Sequence, residues 1–185
     1  LLPHRPREAT SSKTPLHVTM RVLPHVWQLR SRRCYRELER SFFQGCDRFG
    51  CRVIHYSIQH NHLHLVCEAE DTRALARGIR ALAIRMARGL NRVMSHKGKV
   101  FADRFHSRIL RTPTEIRNVI RYVYLNAKKH MVPLGHSFSE RWLDPFSSAA
   151  WFDGWLTDTG PPLLGPAPVA SPASWLLRTG WRRLG

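Results

Sequence analysis

Two alternating apolar and polar segments, Arg52–Ile58 and His62–Glu68, follow one another with only Gln59, His60 and Asn61 between them. A period of two marks each as a β-strand. With so short a connection, turning at His60–Asn61, they must pair as antiparallel neighbours. In the second segment, which begins Gln59–His60–Asn61–His62–Leu63–His64–Leu65–Val66, residues i and i+2 share a face. His62 and His64 therefore stand together, with Leu63 and Leu65 turned into a core. Imidazoles on Cα atoms about 7 Å apart can converge on one divalent ion. Taken by itself, an isolated His-x-His more often marks a solvated polar face.

The other elements follow from periodicity. Leu16–Leu23 alternates, with Val18, Met20 and Val22 on one side, and is predicted as a first strand. Ser31–Phe49 carries Tyr35, Leu38, Phe42 and Phe43 on an amphipathic helix closed by Gly45 or Gly50. Within Arg52–Ile58, strict alternation opposes Val53, His55 and Ser57 to Ile54, Tyr56 and Ile58. Asp71 or Thr72 caps a long helix whose buried stripe is Leu75, Ile79, Leu82, Met86, Leu90 and Val93. Ser95–Lys99 reads as a basic turn. Val100–Leu110 reads as a further strand, with Phe101, Phe105 and Ile109 opposite Arg104, His106 and Arg108. Thr112-Pro113-Thr114-Glu115 is a capping box with Pro at the first helical position, so a last helix starts there, burying Ile116, Val119, Ile120, Val123 and Ala127.

At 185 residues the chain makes one domain with extensions. Residues 1–14 mix Pro, Arg, Ser and Thr and are expected to be a mobile basic arm. Residues 15–131 form the domain. Residues 132–185 hold five of the six tryptophans, a Pro/Ala-rich linker at Leu163–Pro172 and a short basic helix at Ser174–Arg183 anchored by Trp175 and Trp181. This last part is expected to be an irregular appendage that contacts DNA.

The net charge is +17, and 25 of the 30 basic residues are Arg, the better bidentate partner for phosphate. A polyanion, most simply nucleic acid, is the implied partner. A GC-rich genome explains Arg over Lys but not the scarcity of acids. On the long helix Arg73, Arg77, Arg80, Arg85, Arg88 and Arg92 lie around the stripe with almost no carboxylate to pair them. Lys97, Lys99, Arg104 and Arg108 extend the basic surface. Cys34, Cys46, Cys51 and Cys67 form no Cys-x-x-Cys pair and suit a reducing cytoplasm. No apolar run is long enough for a membrane span, and the N-terminus lacks a signal-peptide core. Because the chain opens on Leu1, its reading frame is expected to start upstream.

On the last helix Tyr122 and Asn126 are four apart and share a face, which Lys129 extends. If that face meets the sheet near the histidines, His62, His64 and the Asn126 amide oxygen hold a divalent cation with positions open for phosphate oxygens. Tyr122 is then a nucleophile toward a polarised phosphodiester. Tyr124, on the opposite flank of the stripe, competes for that role. Each residue also has a plain packing role available to it.

Asn61-His62-Leu63-His64-Leu65 resembles the His-hydrophobic-His motif of the HUH single-tyrosine transposases. Val119-Ile120-Arg121-Tyr122-Val123-Tyr124-Leu125-Asn126 is similar to their tyrosine helix, and Val100-Phe101-Ala102-Asp103-Arg104-Phe105-His106 to the segment preceding it in the branch associated with repetitive extragenic palindromes (REP). The resemblance runs through residues 15–131. It implies an α+β, ferredoxin-like antiparallel sheet with helices packed on it. It further implies endonuclease and strand-transferase activity on single-stranded or hairpin DNA through a 5′-phosphotyrosine, with Mg2+ or Mn2+. His62 and His64 carry over as metal ligands, Asn126 as the third ligand and Tyr122 as the nucleophile. Two imidazoles also suit zinc, so the ion stays open. The other readings are a domesticated protein that holds palindromic hairpins without cutting them, and an unrelated metal phosphodiesterase. Monomer and homodimer are both compatible with the sequence.

Overall fold

The computed structural model describes residues 8–139, 141–155 and 165–183. Leu16–Arg21 forms β1, and Ser31 caps α1, Arg32–Gly45, by accepting from the Cys34 amide. The helix stops at Gly45, the earlier of the two expected closures, because the next residues enter a hairpin. In that hairpin β2, Asp47–Arg48, pairs with β3, Cys51–Ile58, around Phe49 and Gly50. Both turn residues have positive φ, 59° and 71°, the twist that suits a two-residue hairpin loop. Gly50 also lies close to the Glu70 carboxylate, which an added Cβ would meet at 2.5 Å and push aside.

β4 is His62–Ala69, and α2 runs Thr72–Val93 under an Asp71 cap. β5 is only His106–Ile109. The longer strand expected over Val100–Leu110 is therefore cut short. Phe101 makes one bridge to Val22, and the backbone then bends at Asp103–Arg104, with the Lys99 ammonium donating to the Ala102 carbonyl. α3, Pro113–Met131, starts at the Thr112 capping box, where Thr112 and Glu115 satisfy each other's amides.

The strands form one antiparallel sheet in the order β2-β3-β4-β1-β5. Its register sets both faces. Val18, Met20, Leu63, Leu65 and Cys67 point to α1 and α2, where they join Leu38, Phe42, Leu75, Ile79, Leu82 and Met86. The alternate residues His17, Thr19, His62, His64 and Val66 point to the other face, over which α3 packs with Ile116, Val119, Ile120 and Val123. Strict alternation fails in β3. A bulge at Ile54 leaves Val53 opposite Cys67 and His55 opposite Val66. Val53 consequently shares the α1/α2 core with Tyr56 and Ile58, and Ile54 joins the α3 side.

The described part of the segment after α3 packs on the domain. Ser148 Oγ accepts from the Tyr56 amide at 2.9 Å, and Asp144 makes a bidentate pair with Arg30. Ala149, Leu176 and Leu177 complete the second core, flanked by Phe152, Trp155 and Trp181. The short helix α4 spans Trp175–Arg178. Trp181 serves as an anchor, but Trp175 is half exposed and the buried leucines behind it hold the helix down. Glu68, buried under α4, accepts from Arg52 and from the amides of Ala173 and Ser174. Residues 1–7 of the basic arm and 156–164, which include the start of the Pro/Ala-rich stretch, lie outside the described residues. Ser11 bridges Asp71, and the Thr10 amide donates to Thr72 at the start of α2.

Leu177→Ala should cost about 2–4 kcal/mol if the C-terminal segment is core. Urea unfolding measures this, and a loss under about 0.5 kcal/mol would make the segment a surface layer after all.

Candidate metal and nucleophile site

β4 sets His62 and His64 side by side, and their Nε2 atoms lie 3.0 Å apart. Two ligands at right angles, each about 2.1 Å from one ion, are separated by about 3.0 Å. The outer nitrogens have partners that leave these inner lone pairs available. His62 Nδ1 donates to Asn61 Oδ1 at 2.9 Å. His64 Nδ1 lies 3.1 Å from His17 Nε2 and 3.4 Å from Thr19 Oγ1, so either can accept its proton. Such outer hydrogen bonds orient a metal-binding imidazole and fix its tautomer. The environment also keeps the rings neutral. Burial, then the neighbouring His62, His17 and His130, lower the His64 pKa to about 3. Burial, Arg21 and His130 lower that of His62.

α3 delivers the phenol. Tyr122 Oη lies 3.4 Å from His64 Nε2, with ring centroids 4.9 Å apart. Its side chain is 41% exposed, so a polymer can reach it. Asn126, one turn further on, is buried, and neither its amide oxygen nor its nitrogen has a hydrogen-bond partner. A buried amide with nothing to bond is costly, and supplying its oxygen to a cation relieves half of that deficit. Among the described residues no three His, Cys, Asp or Glu side chains close on one point. An ion here would depend on the two imidazoles and a donor of another kind, for which the Asn126 amide is suited.

Tyr124 occupies a different environment. It is fully buried, 2.7 Å from His55 Nδ1 and 3.2 Å from Ser148 Oγ, and packs on Phe152 and Trp155. Burial raises its pKa and encloses its oxygen in the second core. Two site residues escaped the sequence reading. His17 touches both His64 and Tyr122, and His130 lies near enough to His62 and His64 to depress both. The alternation of His17, Thr19 and Arg21 opposite Val18 and Met20 carried the signal for the first. For His130 the signal was the same four-residue spacing, since it follows Asn126 by one more turn on the face of Tyr122 and Asn126.

The basic residues are not all gathered at this site. α2 lies across the sheet from the histidines. Arg77, Arg80, Lys99 and Arg104 line a groove of about 800 Å3 whose apolar floor includes Met20, Ile84, Phe101 and Phe105. The expected absence of carboxylate partners along α2 does not hold throughout. Arg92 lies 3.6 Å from Glu37, and Arg85 donates to Gln44 at 2.8 Å. Arg88 lines the neighbouring cleft with them. Arg108, on β5, faces His17 and pairs with Glu115 at 3.6 Å. Lys97 and Lys129 are exposed. No helix among the described residues is long and apolar enough to cross a membrane.

A five-stranded antiparallel sheet with helices packed on both faces defines the fold class, and comparison with known proteins agrees with it. Residues 11–126 match the family described as "Transposase IS200 like". The chain belongs to the IS200-like transposase family. Among solved structures, it superimposes on a REP-associated tyrosine transposase bound to a REP hairpin with a TM-score of 0.61. That likeness covers 80% of this chain and 82% of the other at 16% identity, and establishes the shared fold. No curated protein matches the chain.

The buried imidazoles tie stability to pH. His17, His55 and His64 have folded-state pKa values of about 4, 4 and 3, lowered first by burial, against about 6.5 when unfolded. Below pH 6.5 the unfolded chain binds more protons, so stability falls as pH falls and is level above. In chelator, the melting temperature should already decline between about pH 6.5 and 5, before carboxylates titrate. A level melting temperature there would mean that these rings are protonated when folded.

Proposed function

We propose that this protein is a transposase of the REP-associated type, cleaving and rejoining single-stranded DNA near hairpins through a 5′-phosphotyrosine. The observation that carries the reading is the Tyr122 oxygen beside the facing Nε2 atoms of His62 and His64. His62, His64 and Asn126 would hold Mg2+ or Mn2+. Such an ion, when bound, would polarise the scissile phosphodiester and offset charge developing in the transition state. Tyr122 Oη attacks phosphorus and releases its proton to the solvent that reaches its half-exposed ring. The P–O bond to the 3′ oxygen breaks, and that oxygen takes a proton to become a free hydroxyl. The ester to Tyr122 keeps the 5′ phosphate activated, so a second 3′ hydroxyl can reverse the exchange. His17 and Asn61 hold the two imidazoles in the tautomers that point their lone pairs inward.

The enclosure of Tyr124 between His55, Ser148 and Phe152 supports Tyr122 over it as the nucleophile. The groove of Arg77, Arg80, Lys99 and Arg104 would bind the DNA backbone, with Arg88, Arg108, Lys97 and Lys129 adding charge around it. Arg85 and Arg92, turned toward α1, would contribute less.

Incubation with a labelled hairpin oligonucleotide and Mn2+ should give a covalent protein–DNA band on a denaturing gel. Tyr122→Phe and chelator should each abolish it, and Tyr124→Phe should retain it while lowering stability by about 1–3 kcal/mol. Adduct in Tyr122→Phe would overturn the assignment. Binding without any adduct from the unmodified protein would leave hairpin holding as the function. Affinity should fall steeply with salt, and Arg77→Ala and Arg80→Ala should each reduce the log–log slope by about 0.7–0.9. Unchanged slopes would place the DNA elsewhere.

A further inference from the structure

The cluster of imidazoles continues into a second concavity that the chemistry above does not use. A pocket of about 420 Å3 shares His62 with the cluster. Its walls are the connection between β3 and β4, the last turn of α3 and the segment just beyond it. From this pocket we infer that the protein takes up one unstacked nucleobase of its single-stranded substrate, that of a nucleotide adjoining the phosphate at Tyr122. The inference rests on the nuclease reading.

Four observations support a base rather than a phosphate or an ion. Among the described residues no carboxylate lines the pocket, and the one guanidinium there, that of Arg30, is already bonded twice to the buried Asp144 and once to the Ile58 carbonyl. That guanidinium is thus not free to hold a phosphate. Nor, among the described residues, do three of its histidines close on one point as a histidine-built metal cluster would. What they do present, with Gln28, is planar rings and donor and acceptor groups, the means by which unstacked bases are stacked and read at their edges.

The fourth observation is apolar. Leu134 is 77% exposed at the pocket wall, where no core claims it. Gly135 then turns the chain with φ 86°, and His136 returns to the same wall. The volume is near the lower end of small-ligand pockets, about 300–1,000 Å3, and suits one nucleoside rather than a stacked run. Because the pocket and the phosphate site share His62, the base must belong to a nucleotide adjoining that phosphate.

The test uses the full chain and hairpin oligonucleotides carrying one abasic position, moved stepwise through the nucleotides flanking the cleavage site. Affinity is read by fluorescence anisotropy and cleavage by adduct yield. At one position, loss of the base should weaken binding about tenfold, within the range of base stacking on a ring. Leu134→Ala and His136→Ala alter exposed side chains. Each should weaken binding to intact DNA by a comparable factor and show little further loss on the abasic oligonucleotide. The inference is overturned if no abasic position weakens binding, or if the variant and abasic losses multiply. Adduct formation without base dependence removes the pocket and leaves the nuclease. Base-dependent binding without adduct removes the nuclease and leaves the pocket.

Discussion

The fold depends on β4 being buried on both faces while alternate residues do different work. Leu63, Leu65 and Cys67 are sealed under α1 and α2. His62, His64, Val66 and Glu68 face the other way, and only Val66 of these is apolar. A face so polar can be buried only where its groups find partners. Each of them does. Val66 meets Ile120 and its neighbours in the second core, the histidines meet one another and His17, and Glu68 takes Arg52 and two amides. β1 and β3 flank β4 in antiparallel register, so the same division of labour passes across the sheet.

That arrangement explains why two tyrosines so close in the chain occupy such different surroundings. Tyr122 and Tyr124 are two residues apart on α3, about 200° around the helix axis. Tyr124 falls among His55, Ser148, Phe152 and Trp155, where a hydroxyl is a buried hydrogen-bonding group. Tyr122 falls at the open margin, against the imidazole pair. The segment following α3 enforces the distinction. Without Ser148, Phe152 and Trp155 the Tyr124 side would be open, and α3 would have only one flank fixed.

Much of this could be read from the chain because it is local. The alternation through Leu63 and Leu65 places His62 and His64 on one face, and the Thr112–Glu115 box fixes where α3 begins, hence which way Tyr122 points. Other features have no local signature. The Ile54 bulge inserts one residue into a segment whose apolar pattern, Val53-Ile54-His55-Tyr56, fits either parity. The anchoring of Leu176 and Leu177 was obscured because residues after 131 lack a period, and their packing is decided by a sheet face more than a hundred residues earlier. The Arg92–Glu37 and Arg85–Gln44 contacts depend on how α1 lies against α2, which neither helix specifies alone.

The basic groove and the imidazole pair occupy opposite sides of a single sheet. Layers in such a fold are about 10 Å apart, so the two regions are separated by roughly two layers, not by a stretch of open surface. On the groove side the sheet is bounded by the rim formed by Phe101–Ile109, where β5 ends it. A polymer that engages both regions of one molecule must therefore change direction at an edge of the sheet. A flexible strand follows such a corner readily, whereas a stiff duplex meets it only by ending or bending there.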